Sequence, residues 1–164
     1  MNDLVNMDEV FALAIQIETN AAAFYRKAAG AQPDPGRAKL LEGLAVMEDG
    51  HKRTFEKMRA GMGASQKTSG GAALPMEGGY FLAAIMAGFP VEGAPAAGEM
   101  LTGRETMVEI LRKAIDREKQ SVLFYLGIKD TLSRQTDLTV IDRVLGEEKS
   151  HIVILTRELK KLAR

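Results

Sequence analysis

Apolar residues recur at three- and four-residue intervals in four stretches of the chain, the spacing of one face of an α-helix. The first helix is expected to start near Asn6, with Glu9 three residues later as a capping box, and to end at Gly30. The second starts from Asp34 as N-cap with Pro35 at the first helical position, and ends at Gly61. The third starts from Thr102, with Glu105 completing a capping box, and runs to about Thr131. The fourth runs from near Thr136 to the C-terminus, where Lys160, Lys161 and Arg164 complement the helix dipole. Each is about 25 residues, longer than an ordinary globular helix and typical of bundles. Glycine and proline concentrate between the second and third helices, which makes residues 61–102 a crossover rather than a helix. Residues 1–164 therefore read as one domain: a helical hairpin over 6–60, the crossover, and a second hairpin over 103–164. Within the crossover the apolar run from Tyr80 to Phe89 is expected to form a short helix that covers the bundle or a dimer contact.

The two hairpins repeat one another at an offset of 100 residues. Ala14-Ile15 recurs as Ala114-Ile115, Glu18 as Glu118, Phe24-Tyr25 as Phe124-Tyr125, and Glu48 and His51 as Glu148 and His151. One αα-hairpin cannot bury its apolar faces alone, so an all-α four-helix bundle follows. A helix of about 25 residues spans about 37 Å, a distance the crossover covers easily. It equally permits exchange of hairpins between two chains, and a homodimer is expected.

Read in heptad steps, each apolar stripe carries a glutamate near its middle. Helix one gives Phe11, Glu18 and Tyr25; helix two Leu41, Leu44, Glu48, His51 and Phe55; helix three Leu111, Ile115, Glu118, Val122 and Tyr125; helix four Ile141, Val144, Glu148, His151 and Leu155. A buried, unpaired carboxylate is expensive, and four facing one core repel one another. Either protonation or cations must relieve them. Four carboxylates supply about −4 of charge, enough to offset two divalent ions, and residues i and i+3 share a helix face, so each Glu-x-x-His presents an oxygen and a nitrogen to one centre. Di-iron carboxylate bundles carry this set: one Glu from each of two helices and a Glu-x-x-His from each of the other two. The expected metal ligands are therefore Glu18, Glu48, His51, Glu118, Glu148 and His151, holding two iron ions, with manganese or zinc as alternatives. Glutamate is frequent, but both histidines would have one three residues before them by chance in only roughly 0.7% of cases. Glu147 stands where it can bond the free imidazole nitrogen of His51 or else lie in solvent; its counterpart in the first half is Met47. Phe24, Tyr25, Phe124 and Tyr125 read as packing residues, with a hydrogen bond or a radical role as the alternative for the two tyrosines, each two turns past a ligand glutamate on the same face. The nine methionines read as core filler, and Glu158 as reaching solvent.

Composition narrows the chemistry. The 164 residues hold 22 basic and 22 acidic side chains, so no net charge draws the chain to nucleic acid or an anionic membrane. There is no cysteine, hence no disulfide, no thiolate nucleophile and no Cys-ligated zinc or iron. Met1 to Val10 carries Asp3, Asp8 and Glu9 without a basic residue, unlike a secretory signal, and the longest apolar stretch is too short to span a bilayer. A cytoplasmic protein is expected.

The segments Ile17–Tyr25, Glu48-Asp49-Gly50-His51, Glu118 to Phe124-Tyr125 and Glu148-Lys149-Ser150-His151 together resemble the rubrerythrin family of the ferritin-like superfamily. The resemblance covers both hairpins. It implies a ferritin-like bundle with a di-iron centre that reduces hydrogen peroxide or dioxygen in oxidative-stress defence. Glu48 and Glu148 would bridge the irons, Glu18 and Glu118 would be terminal ligands, and His51 and His151 would complete one iron each. Two features depart from the family. The rubredoxin module is missing with the cysteines, so electrons must come from an external donor in trans. Ser121 stands where rubrerythrins carry an extra glutamate that exchanges with a histidine during turnover. The alternative implied is non-enzymatic iron binding, delivery or storage.

Overall fold

Helix termini in the computed structural model follow local capping chemistry. The structure describes residues 7–62, 81–85, 101–132 and 138–162. Four long helices are present: α1 (Met7–Gly30), α2 (Pro35–Gly61), α3 (Met107–Thr131) and α4 (Thr139–Leu162). Asp34 caps α2, its carboxylate accepting the Arg37 N–H at 2.8 Å, with Pro35 in the first turn where no backbone donor is needed. The expected caps at Asn6 and Thr136 lie outside the described residues.

Helix α3 begins later than the Thr102–Glu105 pattern suggests. Two Thr-x-x-Glu boxes stand in succession, and the second starts the helix: Thr106 is the N-cap, and Glu109 accepts the Thr106 N–H at 2.7 Å. The first box folds a turn instead. Glu105 accepts the N–H groups of Thr102 at 2.8 Å and Gly103 at 3.0 Å, and Gly103 takes a left-handed φ of 86° that a helix cannot contain. The backbone donor of Thr102, followed by lesser contributions including Lys113, holds the Glu105 carboxyl down to about 2.

Two apolar clusters fill the bundle and fix its topology. One holds Tyr25, Ala28, Leu41, Leu44, Ile110, Leu111 and Leu155; the other Val10, Phe11, Phe55, Ile128, Ile141 and Val144. Helices α1 and α4 run from the second cluster to the first, and α2 and α3 run back. Neighbouring helices are therefore antiparallel, while α2 and α3 are parallel, so the connection between them must traverse the length of the bundle. Each fully buried Leu, Ile or Phe contributes about 1.5–3 kcal/mol, and these clusters offset the cost of the ionisable groups between them.

Part of the crossover is helical, over residues 81–85; the rest of the expected Tyr80–Phe89 helix lies outside the described residues. Leu82 is buried in the second cluster and packs on Gly127 of α3, where an added Cβ would stand 3.1 Å from the Leu82 Cδ1. Bidentate pairing of Arg59 with Asp8, at 2.9 and 2.7 Å, ties the end of α2 to the start of α1. Among the described residues no helix is long and apolar enough to cross a membrane.

Two glycine substitutions should act with opposite sign. Gly103 has open space around it, so Gly103→Ala meets only the left-handed backbone cost and should destabilise by roughly 1–2 kcal/mol. Gly43 is helical and exposed, and Gly43→Ala should stabilise by about 0.5–1 kcal/mol. Urea unfolding of both variants checks this; equal signs would contradict it.

Candidate metal centre

All six expected ligands meet in the gap between the two apolar clusters. Glu18 comes from α1, Glu48 and His51 from α2, Glu118 from α3, and Glu148 and His151 from α4. None is more than 3% exposed. They form two groups whose ligand atoms all lie within 4.8 Å of one another: Glu18, Glu48, His51 and Glu148, and Glu48, Glu118, Glu148 and His151. Glu48 and Glu148 belong to both.

The geometry is nearly two-fold. His51 Nδ1 lies 3.1 Å from Glu48 Oε2, 3.1 Å from Glu148 Oε1 and 3.7 Å from Glu18 Oε2. His151 Nδ1 lies 3.2 Å from Glu48 Oε1, 3.1 Å from Glu148 Oε2 and 3.6 Å from Glu118 Oε1. Each shared carboxylate thus offers one oxygen to each imidazole. The rings stack with centroids 5.8 Å apart. The repeat at an offset of 100 residues is the origin of this pseudo-symmetry.

Electrostatics explain how such a cluster is tolerated without metal. Burial pushes Glu18 well above the usual carboxylate range, and burial likewise raises Glu118 to about 8 despite the nearby His151. Burial also opposes ionisation of Glu48 and Glu148, but both imidazoles outweigh it, lowering Glu48 and holding Glu148 at about 2. Burial disfavours charged histidine too, yet the surrounding carboxylates prevail: His51 is strongly raised and His151 rises to about 12. Two imidazolium ions, two carboxylates and two neutral carboxyls sum to zero charge.

Charge balance does not satisfy every donor. Glu48 Oε1, both oxygens of Glu148, and Nδ1 and Nε2 of His151 are buried without a hydrogen-bond partner among the described residues. Glu48 Oε1 and Glu148 Oε2 approach His151 Nδ1 at 3.2 and 3.1 Å, and Glu148 Oε1 approaches His51 Nδ1 at 3.1 Å, as ion-pair contacts that do not form hydrogen bonds. Two sets of oxygen and imidazole donors sharing two carboxylates fit two metal ions of the iron, manganese or zinc type.

The sequence leaves some partners unassigned. Tyr25 donates its hydroxyl to Glu118, and Tyr125 donates to Glu18, each crossing between α1 and α3. Burial, then the negative charge that Glu118 beside Tyr25 and Glu18 beside Tyr125 carry once ionised, keeps both phenols well above their usual range, so they stay neutral donors. The heptad register places each tyrosine two turns from the glutamate of its own helix, whereas its partner is on the opposite helix. Phe24 and Phe124 pack in the core as expected. Glu147 Oε2 sits 2.7 Å from His51 Nε2, the first of the two placements its position allows. Ser121 is buried one turn after Glu118. Met7, Met58, Met62 and Met107 pack against the core, but Met47 is exposed. Glu158 is partly buried and pairs with Lys161.

Fold and site together define an all-α bundle of the ferritin-like kind with a buried carboxylate–histidine cluster. No family model matches the chain, and no curated protein matches it. The crystal structure of a protein from Thermotoga maritima, described as a ferritin-like diiron-carboxylate protein, superposes with a TM-score of 0.72 over 95% of both chains at 23% identity. That likeness shows a shared fold.

The metal-free protein should lose stability as pH rises. Glu118 has an ordinary value of 4.5 and a folded value of about 8, so its contribution is full below 4.5 and lost as pH climbs through 8. His151, raised from 6.5 to about 12, contributes fully below 6.5 and progressively less above it. Glu148 acts oppositely, its contribution present above 4.5 and lost as pH falls toward 2. Thermal melts in chelator should show Tm falling between about pH 5 and about pH 9; a rising Tm would contradict this electrostatic scheme.

Proposed function

We propose that this chain is a rubrerythrin-like di-iron carboxylate protein that reduces hydrogen peroxide or dioxygen. The observation that carries the proposal is the position of Glu48 and Glu148, each offering one oxygen to each of two buried imidazoles at ion-pair distance, with several of these atoms making no hydrogen bond. Glu48 and Glu148 would be shared between two ions, Glu18 and Glu118 would each serve one ion, and His51 and His151 would complete one each. Bound iron would supply two electrons, one per ion, enough with two protons to reduce hydrogen peroxide to water; dioxygen would be carried only to peroxide by one such pair, its reduction to water requiring two more electrons from the external donor.

The protein's own groups set the conditions for this chemistry. Four glutamates balance the charge of two divalent ions, so loading exchanges four protons for metal: one each from His51, His151, Glu18 and Glu118. Tyr25 and Tyr125 hold Glu118 and Glu18 in orientation through their hydroxyls. Phe55 and Leu155, one turn beyond the histidines, help keep water from the centre. In this reading the protein works in the cytoplasm as a homodimer and takes electrons from an external donor, because these 164 residues hold no cysteine for an iron–sulfur relay.

Ser121, which replaces the extra glutamate of rubrerythrins, favours a second reading: iron binding or storage without turnover. Two measurements decide. Calorimetric titration of the metal-free protein with Fe²⁺ under anaerobic conditions, in buffers of different ionisation enthalpy, should give about two ions per chain and about four protons released. Fewer than one ion per chain would sink both readings. Stopped-flow mixing of the iron-loaded, reduced protein with hydrogen peroxide should show rapid oxidation with peroxide consumed; an inert, metal-loaded protein would leave the binding reading standing.

A further inference from the structure

The two halves of the centre are alike in their inner ligands and unlike behind them. On the His51 side, Nδ1 faces the cluster and Nε2 meets Glu147 Oε2 at 2.7 Å. Glu147 is 41% exposed, so a partly solvated carboxylate backs a buried ring. On the His151 side, Nδ1 likewise faces the cluster, but Nε2 is buried without a hydrogen-bond partner among the described residues. The repeat explains the difference: Glu147 immediately precedes the shared Glu148, and Met47 precedes the shared Glu48. Methionine offers no carboxylate and lies 37% exposed at the surface.

A carboxylate behind a ligating imidazole fixes the ring's tautomer and orientation and strengthens its donation to a metal; loss of such a partner typically costs 10–100-fold in affinity. We infer that the two metal positions are inequivalent, the one built on His51 binding more tightly, with Glu147 as the positioning residue that makes it so. This rests on the two-metal reading above. The tighter position fills first, and the His151 position holds the more exchangeable ion.

Because Glu48 and Glu148 are shared, repulsion between the ions would split binding into two steps even at identical positions. Single-position backgrounds remove that ambiguity. His151→Ala leaves the His51 position with its full donor set, and His51→Ala leaves the other. Co²⁺, titrated into each chelator-treated protein and followed by calorimetry and visible absorbance, should bind more tightly to His151→Ala. Adding Glu147→Gln should weaken Co²⁺ about 10–100-fold in the His151→Ala background and leave the His51→Ala background unchanged. Met47→Glu, at an exposed position that tolerates charge, should tighten Co²⁺ in the His51→Ala background and serves if a histidine variant with Glu147→Gln fails to fold. Equal affinities in the two backgrounds, or the same response of both to Glu147→Gln, would overturn the inequivalence while two ions on the unmutated protein kept the two-metal reading. No Co²⁺ bound by the unmutated protein would overturn the reading itself.

Discussion

Six ionisable side chains are buried at the middle of this bundle, and they are tolerable there only because their charges cancel. Each shared carboxylate lies between two imidazoles, and each unshared glutamate accepts a tyrosine hydroxyl. Remove one partner and an uncompensated charge remains in a low-dielectric interior, at a cost of about 3–5 kcal/mol. The apolar clusters on either side provide the stability against which this cost is set. The same cancellation describes the metal-free protein, where protons hold the balance, and would hold equally in the proposed loaded form, where two divalent ions would take their place.

The internal repeat makes this arrangement economical in sequence. One hairpin pattern, used twice, delivers a single glutamate, a Glu-x-x-His pair and a tyrosine to the same depth of the bundle. The antiparallel crossing of α1 with α3 then brings each tyrosine to the other hairpin's glutamate, so the two hairpins are joined through their polar centre as well as their apolar faces. The pairing ties the tyrosines to the centre, with Tyr25 and Tyr125 occupying opposite apolar clusters.

What the sequence reveals depends on how local the determining physics is. Asp34 with Pro35 starts α2 because the cap needs only the next three residues. The Glu-x-x-His pairs are legible because both members sit on one face of one helix, and an otherwise apolar stripe points that face inward. The start of α3 is not decided by the Thr-x-x-Glu pattern, which occurs twice; the left-handed backbone of Gly103 and its bonds to Glu105 make the first copy a turn. Cross-helix partners are harder still. A heptad stripe gives the direction in which Tyr25 points but not the neighbour it meets, which depends on the rotation and height of α3. Glu147 is intermediate: its step before Glu148 turns it toward α2, yet only the packed helices bring it to His51 Nε2.

The central claim is that the four glutamates and two histidines exist to hold a pair of metal ions. It is tested most directly by a crystal structure of the protein loaded anaerobically with Fe²⁺, with anomalous data collected at the iron edge. Two iron peaks about 3.5–4 Å apart, between Glu48 and Glu148 with one imidazole on each, are the expected result. Iron bound elsewhere, or an iron-loaded crystal whose six side chains keep their mutual contacts with no metal between them, would contradict it.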